Sequence, residues 1–584
     1  MTNNIIQKLK NKKKTLIIFT ILVVMILLIS LTVIKISKTA IKNLTSNKSW
    51  VEKHTSLVKT TNISSNVYTV KKSKYIKTYN TLYQKSIDEK IEKLINKNSH
   101  TLNNPLMIYN PYGTNTNSLN IYFATEEYTV ISYKIEVVGY SSFERTLKNT
   151  SEDNYTKNHS YQLIGFIMGH ENKLTITVKT KNQEITKYEF KLNFKNYKIN
   201  TDTKLKITKD SKEELTDGLY AILGDSRKDD YIHIVDNDGI VRGEIPIIGY
   251  RAVNLLFNNE KMYFSISERK IAEMNNLGKI TKIYRLGKYR LHHDYSFDKN
   301  KENILVLATD TTDDSCEDAI IKLNLKTGKV TDSFKLEEVL ADLRKSAYYN
   351  KSEVAKEVES VGVDWMHINT INYFDNDTVI LSSRETSSII KIKDIFNNPE
   401  IVYILGDEEF YSNFDSKKYL YKKTNDFTIA GGQHTVSYIP TDDEKVYYLS
   451  MFNNNIGIST TQPNFNWKKI GLKYSSPKDD GTSYYYKYKV DENKKTYELV
   501  ESFEVPFSAY MGSSQEYNSN IIIDSAQQCT FQETDSKGNI KRQYKFNCKS
   551  SVYRVFKYTF NDFYYVDDYN YLLYGLWKNF RYYI

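Results

Sequence analysis

Short runs in which apolar and polar residues alternate dominate the chain from about residue 205 onward and predict β-strands. A strand-turn-strand unit recurs at residues 231–241, 271–283 and 320–331. Its turns contain Gly239, Gly278 and Gly328, which are 39 and 50 residues apart along the chain. Spacings of about 40–50 residues with this punctuation are typical of β-propeller blades, each of which is a four-stranded sheet.

The blade starts can be counted along this region. Six are predicted, at Gly218, Arg251, His293, His367, His434 and Met511. Residues 535–540 hold a later copy of the turn, and residues 337–361 have the pattern of a helical insertion. The tyrosine-rich end, residues 553–584, contains further strands that would close the ring. We therefore expect an all-β fold with a six-bladed β-propeller over residues 205–584.

The chain before the propeller has a different pattern. Residues 104–115 are rich in turn residues, and strands are predicted at 119–125, 129–138, 173–180 and 186–194. This spacing predicts a small β-sandwich domain over residues 105–196. Residues 36–104 are polar and lysine-rich, with apolar residues at helical spacing between Ile87 and Ile95. We expect them to form a polar, partly helical stalk.

An apolar run without charge occupies residues 16–34, and Thr15 extends it to 20 residues. About 20 apolar residues are needed to cross a bilayer as a helix. Lysines precede the run, so we predict a cytoplasmic basic tail (1–14), a transmembrane signal anchor (15–35) and an extracytoplasmic body in the cell membrane. A cleaved signal peptide is the alternative, but the flank Lys-Ile-Ser-Lys-Thr-Ala (35–40) is a poor cleavage site.

Composition narrows the class of protein. Apolar residues make up 40% of the chain, enough to fill a core. The net charge is +11, but outside the amino-terminal tail the basic residues alternate with acidic ones. Without a basic stripe or an aromatic nucleic-acid motif, nucleic acid is not expected as a partner.

The three cysteines suggest one disulfide. Cys529 and Cys548 lie symmetrically about Gly538-Asn539, where a two-residue hairpin turn would place them opposite each other on neighbouring strands. Cα separations of about 4.5–5.5 Å across such a pair suit a disulfide. Two buried free thiols are the alternative, and Cys316 has no obvious partner. The chain contains neither CxxC nor HExxH, so no metal site is predicted.

Candidate chemistry comes from the histidines. The chain has nine, and four of them open strand-like runs: His292 and His293, His367, and His434. Residues at equivalent positions of propeller blades meet at the central axis. The imidazoles would therefore converge on one site, which Arg384, 17 residues after His367, would join as a fixed cation.

These residues belong to motifs that occur in a fixed order. The motifs are His-His-Asp (292–294), Asp-Trp-Met-His-Ile-Asn (364–369), Ser-Ser-Arg-Glu-Thr-Ser-Ser-Ile-Ile-Lys-Ile (382–392), Gly-Gln-His-Thr-Val (432–436) and Tyr-Met-Gly-Ser-Ser-Gln (510–515). In this order they resemble the bacterial PAPS-independent aryl-sulfate sulfotransferase (arylsulfotransferase) family. Asn-Pro-Tyr-Gly-Thr-Asn (110–115) resembles the amino-terminal sandwich of that family. The resemblance covers residues 100–584, and the membrane anchor departs from the soluble secreted members.

The resemblance implies a site in the central channel of the propeller. A sulfuryl group would pass from an aryl sulfate donor to a phenolic acceptor by a ping-pong mechanism through a sulfohistidine. His434 would be the nucleophile, and His367, Asn369 and Arg384 would hold the sulfuryl oxygens. Either His292 or His293 would supply another imidazole. No cofactor or metal is implied, and a homodimer is left open.

The residue types suit this chemistry. Attack at sulfur spreads charge over the sulfuryl oxygens, which fixed cations and N–H donors stabilise. A neutral imidazole is available as a nucleophile, and a second imidazole can protonate the leaving phenolate. Two other functions fit the same residues. One is a propeller that binds sulfated or phenolic ligands without turnover. The other is a metal-dependent hydrolase, which we disfavour because no carboxylates cluster near the histidines in the sequence.

Overall fold

A ring of β-sheets follows a smaller β domain in the computed structural model of the chain. The structure describes residues 34–566, apart from 150, 152, 200–202, 225–230, 250 and 349–361, and scattered positions between Thr20 and Leu31. The predicted transmembrane segment, residues 15–35, therefore lies largely outside the described residues. Within the described part, no helix is both long and apolar enough to cross a membrane.

The first domain is built around one long strand. Its described strands are β1 (Thr55–Thr60), β2 (Val67–Lys72), β3 (Leu106–Tyr109), β4 (Ser118–Glu136), β5 (Phe143–Thr146), β6 (Thr156–Ile164), β7 (Glu171–Thr180) and β8 (Ile185–Asn193). The first half of β4 pairs with β3 and β6, and its second half pairs with β5 and β7. Apolar side chains from both halves share one core. The two strands predicted at 119–125 and 129–138 are thus one strand that links two layers.

The prediction of a polar stalk before this domain is wrong for residues 48–104. This segment contains α1 (Lys48–Lys53), β1, β2 and α2 (Thr81–Lys97), and β2 adds to the sheet beside β3. The helix α2 buries Tyr83, Ile87 and Ile91 against apolar residues of β3 and β4. The apolar residues at helical spacing therefore cover a sheet, and the lysines between them face outward.

The propeller contains six sheets in the part of the chain that the structure describes, which we number as blades. Blade 1 holds β10 (Leu219–Leu223), β11 (Tyr231–Val235), β12 (Val241–Pro246) and β34 (Val555–Tyr558). Blade 2 holds β13 (Leu255–Asn258), β14 (Lys261–Ser267), β15 (Lys270–Asn275) and β16 (Ile280–Arg285). Blade 3 holds β17 (Tyr289–Phe297), β18 (Asn303–Asp310), β19 (Ala319–Asn324) and β20 (Val330–Lys335).

The other three blades complete the ring. Blade 4 holds β21 (Ile368–Phe374), β22 (Thr378–Ser383), β23 (Ser388–Lys393) and β24 (Glu400–Leu405). Blade 5 holds β25 (Lys422–Lys423), β26 (His434–Ile439), β27 (Val446–Asn453), β28 (Thr482–Asp491) and β29 (Thr496–Pro506). Blade 6 holds β30 (Ser513–Tyr517), β31 (Asn520–Ser525), β32 (Thr530–Asp535), β33 (Ile540–Lys545) and β9 (Lys206–Asp210).

Short helices occupy the connections between strands. They are α3 (Ala341–Ser346), α4 (Glu408–Tyr411) and 3-10 turns at Leu336–Glu338, Asp415–Tyr419, Trp467–Ile470 and Ala526–Gln528. The helical insertion predicted at 337–361 is seen as the first 3-10 turn and α3, and residues 349–361 lie outside the described residues.

The two ends of the propeller sequence close the ring. Strand β34 pairs with β10 as the innermost strand of blade 1, whereas β9 pairs with β33 at the outer edge of blade 6. Closure by the carboxyl end follows the prediction. The predicted glycine turns join the third and fourth strands of blades 1, 2, 3 and 6, with left-handed glycines such as Gly239 (φ 75°) and Gly538 (φ 85°).

Cys529 and Cys548 form a disulfide with a Cα separation of 6.0 Å. The sequence suggested that they lie opposite each other in the hairpin, but they do not. The turn is centred on Lys537, where the Asp535 N–H donates to the Asn539 carbonyl, so Thr530 pairs with Lys545 even after a bulge at Glu533 and Thr534. Both cysteines therefore lie just beyond the ends of these strands. Cys316 is buried and outside this bond.

A buried ion pair spans the closure between blades 6 and 1. Lys557 Nζ lies 2.7 Å from Glu533 Oε2 and also donates to the Thr216 carbonyl and to Asn237 Oδ1. Both charged side chains are 0% exposed.

Replacing Lys557 with methionine should lower the free energy of unfolding by about 3–5 kcal/mol, because the Glu533 charge would stay buried without its cation. Urea unfolding of the two proteins measures this difference. The matched control is Lys489→Met, since Lys489 pairs with Glu498 at 3.9 Å with both side chains about 40% exposed. That change should cost about 0–1 kcal/mol. Equal losses in the two variants would contradict a role for Lys557 in closure.

Candidate active site

The inner strands of blades 3, 4 and 5 are irregular where the histidines stand. The register of β17 breaks between Leu291 and Tyr295, and that of β21 breaks around Asn369. His293 (φ 49°) and His367 (φ 47°) adopt the left-handed region, which non-glycine residues rarely occupy. Such residues cost about 1–3 kcal/mol each and cluster at functional sites. The bulges turn these side chains out of the ladders and toward the axis.

The structure brings together the histidines of three blades. The ring centroid of His293 lies 4.6 Å from that of His367 and 6.4 Å from that of His434. Arg384 joins them, with Nη1 3.1 Å from His367 Nε2. His293 is therefore the member of its pair that faces the others. His292 lies behind it, with Nδ1 3.1 Å from His293 Nδ1.

The tautomer of His434 is fixed by its neighbours. Its Nδ1 lies 2.9 Å from the Gly432 carbonyl and 2.8 Å from Asn454 Oδ1. Asn454 Nδ2 donates to the carbonyls of Ser508 and Met511, so its oxygen must face His434. With acceptors on one side, Nδ1 carries the proton and Nε2 keeps its lone pair. Burial, with His367 and Arg384 nearby, lowers the pKa of His434 to about 3 despite the Asn454 contact, so the imidazole is neutral at neutral pH.

His367 has the opposite environment. Its Nδ1 lies 2.6 Å from Asp364 Oδ2 and 2.7 Å from Glu317 Oε2. Burial and Arg384 lower its pKa, but Asp364 and Glu317 outweigh them and raise the pKa to about 9. Our expectation that no carboxylates cluster near the histidines is therefore wrong. Asp364 is three residues before His367, and the fold brings Glu317 from the turn between β18 and β19.

Arg384 is more accessible than the histidines, with 23% of its side chain exposed, and Asp364 and Glu317 are similarly accessible at 27% and 24%. Its Nη2 donates to Glu385 Oε1 at 2.6 Å and to Asp364 Oδ2 at 3.3 Å. Glu385 is fixed in turn by the Thr460 backbone N–H and the Ser459 hydroxyl. These carboxylates outweigh burial and hold the pKa of Arg384 above its usual value, so the guanidinium is permanently charged.

Asn369 supports the histidines from behind. It is fully buried, and its Nδ2 donates to the Gln433 carbonyl at 2.8 Å, directly before His434. Its own carbonyl accepts a hydrogen bond from Arg554 Nη2 at 2.9 Å. We therefore place Asn369 among the groups that position His434, although its motif suggested direct contact with sulfuryl oxygens.

Glu317, Asp364, Asn454 and Arg554 belong to the site and were not predicted. Glu317 follows a turn without strand alternation, and Asn454 stands in an asparagine-rich stretch of an asparagine-rich chain. Arg554 precedes the last strand and has no counterpart at the blade starts. One signal was available, because Asp364 and His367 are close enough in sequence to hydrogen-bond across a tight turn.

Two groups of side chains could hold a metal ion by geometry. Among the described residues, His292, His293 and Glu317 form one, and Glu317, Asp364 and His367 form the other. Arg384 adjoins the second group and already shares Asp364 with His367. Asp364 Oδ2 accepts a hydrogen bond from His367 Nδ1 at 2.6 Å, whereas Glu317 Oε2 lies 2.7 Å from the same nitrogen as an ion pair without hydrogen-bond geometry. The Nδ1 atom of His367 is thus already bonded to a carboxylate, with a cation beside it.

Two family models match most of the chain. The family described as Arylsulfotransferase (ASST) matches residues 204–565, and the Arylsulfotransferase Ig-like domain matches residues 106–195. The chain belongs to the arylsulfotransferase family, whose members transfer sulfuryl groups from aryl sulfates without PAPS. No curated protein matches the chain.

The solved structures that match the chain share little sequence identity with it. A protein of unknown function from Bacteroides caccae is 10% identical, with 58% of this chain and 98% of that chain covered and a TM-score of 0.34. Virginiamycin B lyase from Staphylococcus aureus is 12% identical, with 60% and 90% covered and a TM-score of 0.30. At these values neither structure bears on the function of this chain.

Replacing Asn454 with alanine should lower the rate of sulfuryl transfer by roughly 10–100-fold, the range for a group that orients a reacting imidazole. The Gly432 carbonyl still accepts from Nδ1, so some activity should remain. Steady-state kinetics with a chromogenic aryl sulfate measure the loss. The control is Asn372→Ala, because Asn372 also bonds the next blade, at Val436 and Tyr438, without touching a histidine. Equal losses in both variants would mean that Asn454 only holds blades together.

Proposed function

We propose that this aryl sulfotransferase works by a ping-pong mechanism through a sulfohistidine at His434. The observation that carries the proposal is the fixed tautomer of His434. Its Nδ1 faces two oxygen acceptors, so Nε2 is an unprotonated nucleophile beside a permanent cation. A neutral nucleophilic imidazole and a cation for the sulfuryl oxygens are the two requirements of this chemistry.

The donor is an anion, so its capture falls to the positive groups of the site. Arg384 presents a planar fork of N–H donors that can engage two sulfuryl oxygens at once. His293 and His367 lie beside it and can contribute further N–H groups. In this arrangement the sulfur atom would rest between the cation and His434 Nε2.

Two displacements at sulfur follow. In the first, Nε2 of His434 forms an N–S bond while the S–O bond to the aryl group breaks. The departing phenolate has a conjugate acid with a pKa near ~10, so protonation by a second imidazole assists it. In the second, the oxygen of an acceptor phenol bonds to sulfur as the N–S bond breaks, the phenol proton passes to the same imidazole, and His434 is regenerated.

Exposure of the protein to an aryl sulfate without acceptor should add the mass of one sulfuryl group to the peptide that contains His434. His434→Ala should show no added mass and no transfer to phenol, because no other group supplies the nucleophile. Intact-protein mass spectrometry followed by peptide mapping measures both. The control is His170→Ala, a histidine of the first domain that contacts Tyr140. It should be labelled like the parent.

A different result would favour a second function. If the donor binds but neither adduct nor product ever forms, the site captures sulfated or phenolic ligands without turnover. Adduct formation on another residue would remove His434 from its role as nucleophile.

We further propose that residues 15–35 anchor the protein in the cell membrane with the propeller outside the cytoplasm. The support is the uncharged apolar run and the lysines that precede it. The donor and acceptor would then be molecules found outside the cytoplasm.

Full-length protein produced in a bacterial host should remain in the membrane fraction after alkaline carbonate extraction, because a spanning helix resists it. Removal of residues 1–35 should release the protein into the soluble fraction. Protease added to intact spheroplasts should digest the propeller if it lies outside. Extraction of the full-length protein by carbonate would overturn the anchor.

A further inference from the structure

Glu317 occupies a central position among the imidazoles. Its Oε2 lies 2.7 Å from His367 Nδ1 and 3.5 Å from His293 Nδ1. Its backbone N–H donates to Thr309 Oγ1, and its carbonyl accepts from the Ile368 N–H. Glu317 also adopts a left-handed φ of 56°. The backbone of this residue is thus held in a costly conformation that places its carboxylate at the histidines.

The two carboxylates at Nδ1 determine how His367 is protonated. They require the Nδ1 proton, so the other nitrogen, Nε2, faces Arg384 Nη1 at 3.1 Å. Arginine has no acceptor, so its guanidinium and a second proton compete for the Nε2 lone pair. The two carboxylates favour the proton, and the pKa of His367 is raised despite Arg384.

We propose that Glu317, with Asp364, is a positioning residue that holds His367 in its doubly protonated form and so makes it the acid and base of the transfer. This inference rests on the proposed function, since it assigns the imidazole that serves His434. It also assigns a substrate class, namely aryl sulfates whose phenolates are too basic to leave unaided.

The charges around His367 favour its doubly protonated form. The groups that face it are Arg384, Asp364, Glu317, His293, His292 and His434. Burial lowers the pKa of His293 and of His434, so those two imidazoles stay neutral. Arg384 itself is surrounded by Glu385, Asp364 and Glu317. An anion that enters beside three carboxylates is repelled by them, and a proton on His367 offsets that repulsion.

The proton balance closes without a cofactor. The Nε2 proton of His367 passes to the phenolate oxygen as the S–O bond breaks and the N–S bond to His434 forms. Neutral His367 then takes a proton from the acceptor phenol as the phenol oxygen bonds to sulfur and the N–S bond to His434 breaks.

The test uses the first half-reaction, measured as the burst of phenol released by the full-length protein without acceptor. Glu317→Gln should slow the burst with phenyl sulfate by roughly 10²–10³-fold, within the range for general acid catalysis. With 4-nitrophenyl sulfate, whose leaving group needs little protonation, the loss should stay below about 10-fold. A carboxylate that only supports the fold would slow both donors alike.

Glu385→Gln is the matched control. Glu385 contacts Arg384 but not an imidazole. It should therefore weaken anion capture and slow both donors by similar factors. Equal losses for the two donors in Glu317→Gln would overturn the inference.

The pH dependence gives a measurement on the parent protein, which serves even if Glu317→Gln fails to fold. The raised pKa of His367, about 9, means that the acid form is lost as pH rises through that value. The burst rate with phenyl sulfate should then fall relative to that with 4-nitrophenyl sulfate. Glu317→Gln removes one of the charges that raise this pKa, so in this variant the relative burst rate should fall at a lower pH. A rate ratio that stays constant through pH 9 would overturn the inference.

Failure of the proposed function gives a different result. If the parent protein never forms the adduct on His434, the nucleophile is wrong. If the adduct forms but Glu317→Gln slows the burst with both donors by the same factor, only the role of Glu317 is wrong.

Discussion

The site depends on the contacts that the guanidinium of Arg554 makes. Its Nη1 lies 3.1 Å from Asp294 Oδ1, and its Nη2 donates to the Asn369 carbonyl. Asp294 directly follows His293, and Asn369 holds the Gln433 carbonyl before His434. One buried cation, carried in by the strand that closes the ring, therefore ties together the segments that bear the three histidines. Because the pair is almost fully buried, loss of either partner would leave an unpaired charge at the axis.

This dependence explains why the ring must close before the site exists. Arg554 precedes β34, and Tyr553 beside it donates to the His293 carbonyl at 2.6 Å. Neither contact can form until the carboxyl end has paired with β10. Closure through Lys557 and Glu533 and assembly of the histidines are thus two results of the same strand pairing.

The sequence predicts the elements that repeat and misses those that do not. The blade starts at His293, His367 and His434 were visible because alternation and turn glycines recur at similar spacing. Glu317 and Asn454 were not, since each reaches the axis from a connection whose path depends on its neighbours. The structure of residues 48–104 was mispredicted for another reason. Its helix has a narrow apolar face and many lysines, a pattern that a solvated spacer and a helix covering a sheet share.

The three axial histidines show how one residue type takes different roles. His434 faces a carbonyl and an amide oxygen, which fix a proton on Nδ1 without favouring a second one. His367 faces two carboxylates, which favour the imidazolium. His293 shares Glu317 with His367 at the longer distance of 3.5 Å and is held neutral by burial. Under the proposed mechanism, neighbours that push similar groups toward different proton affinities separate nucleophile from acid. The oxygen atoms that contact each imidazole therefore determine its proton affinity. Several of these atoms belong to connections between strands, which the periodicity of the blades does not predict.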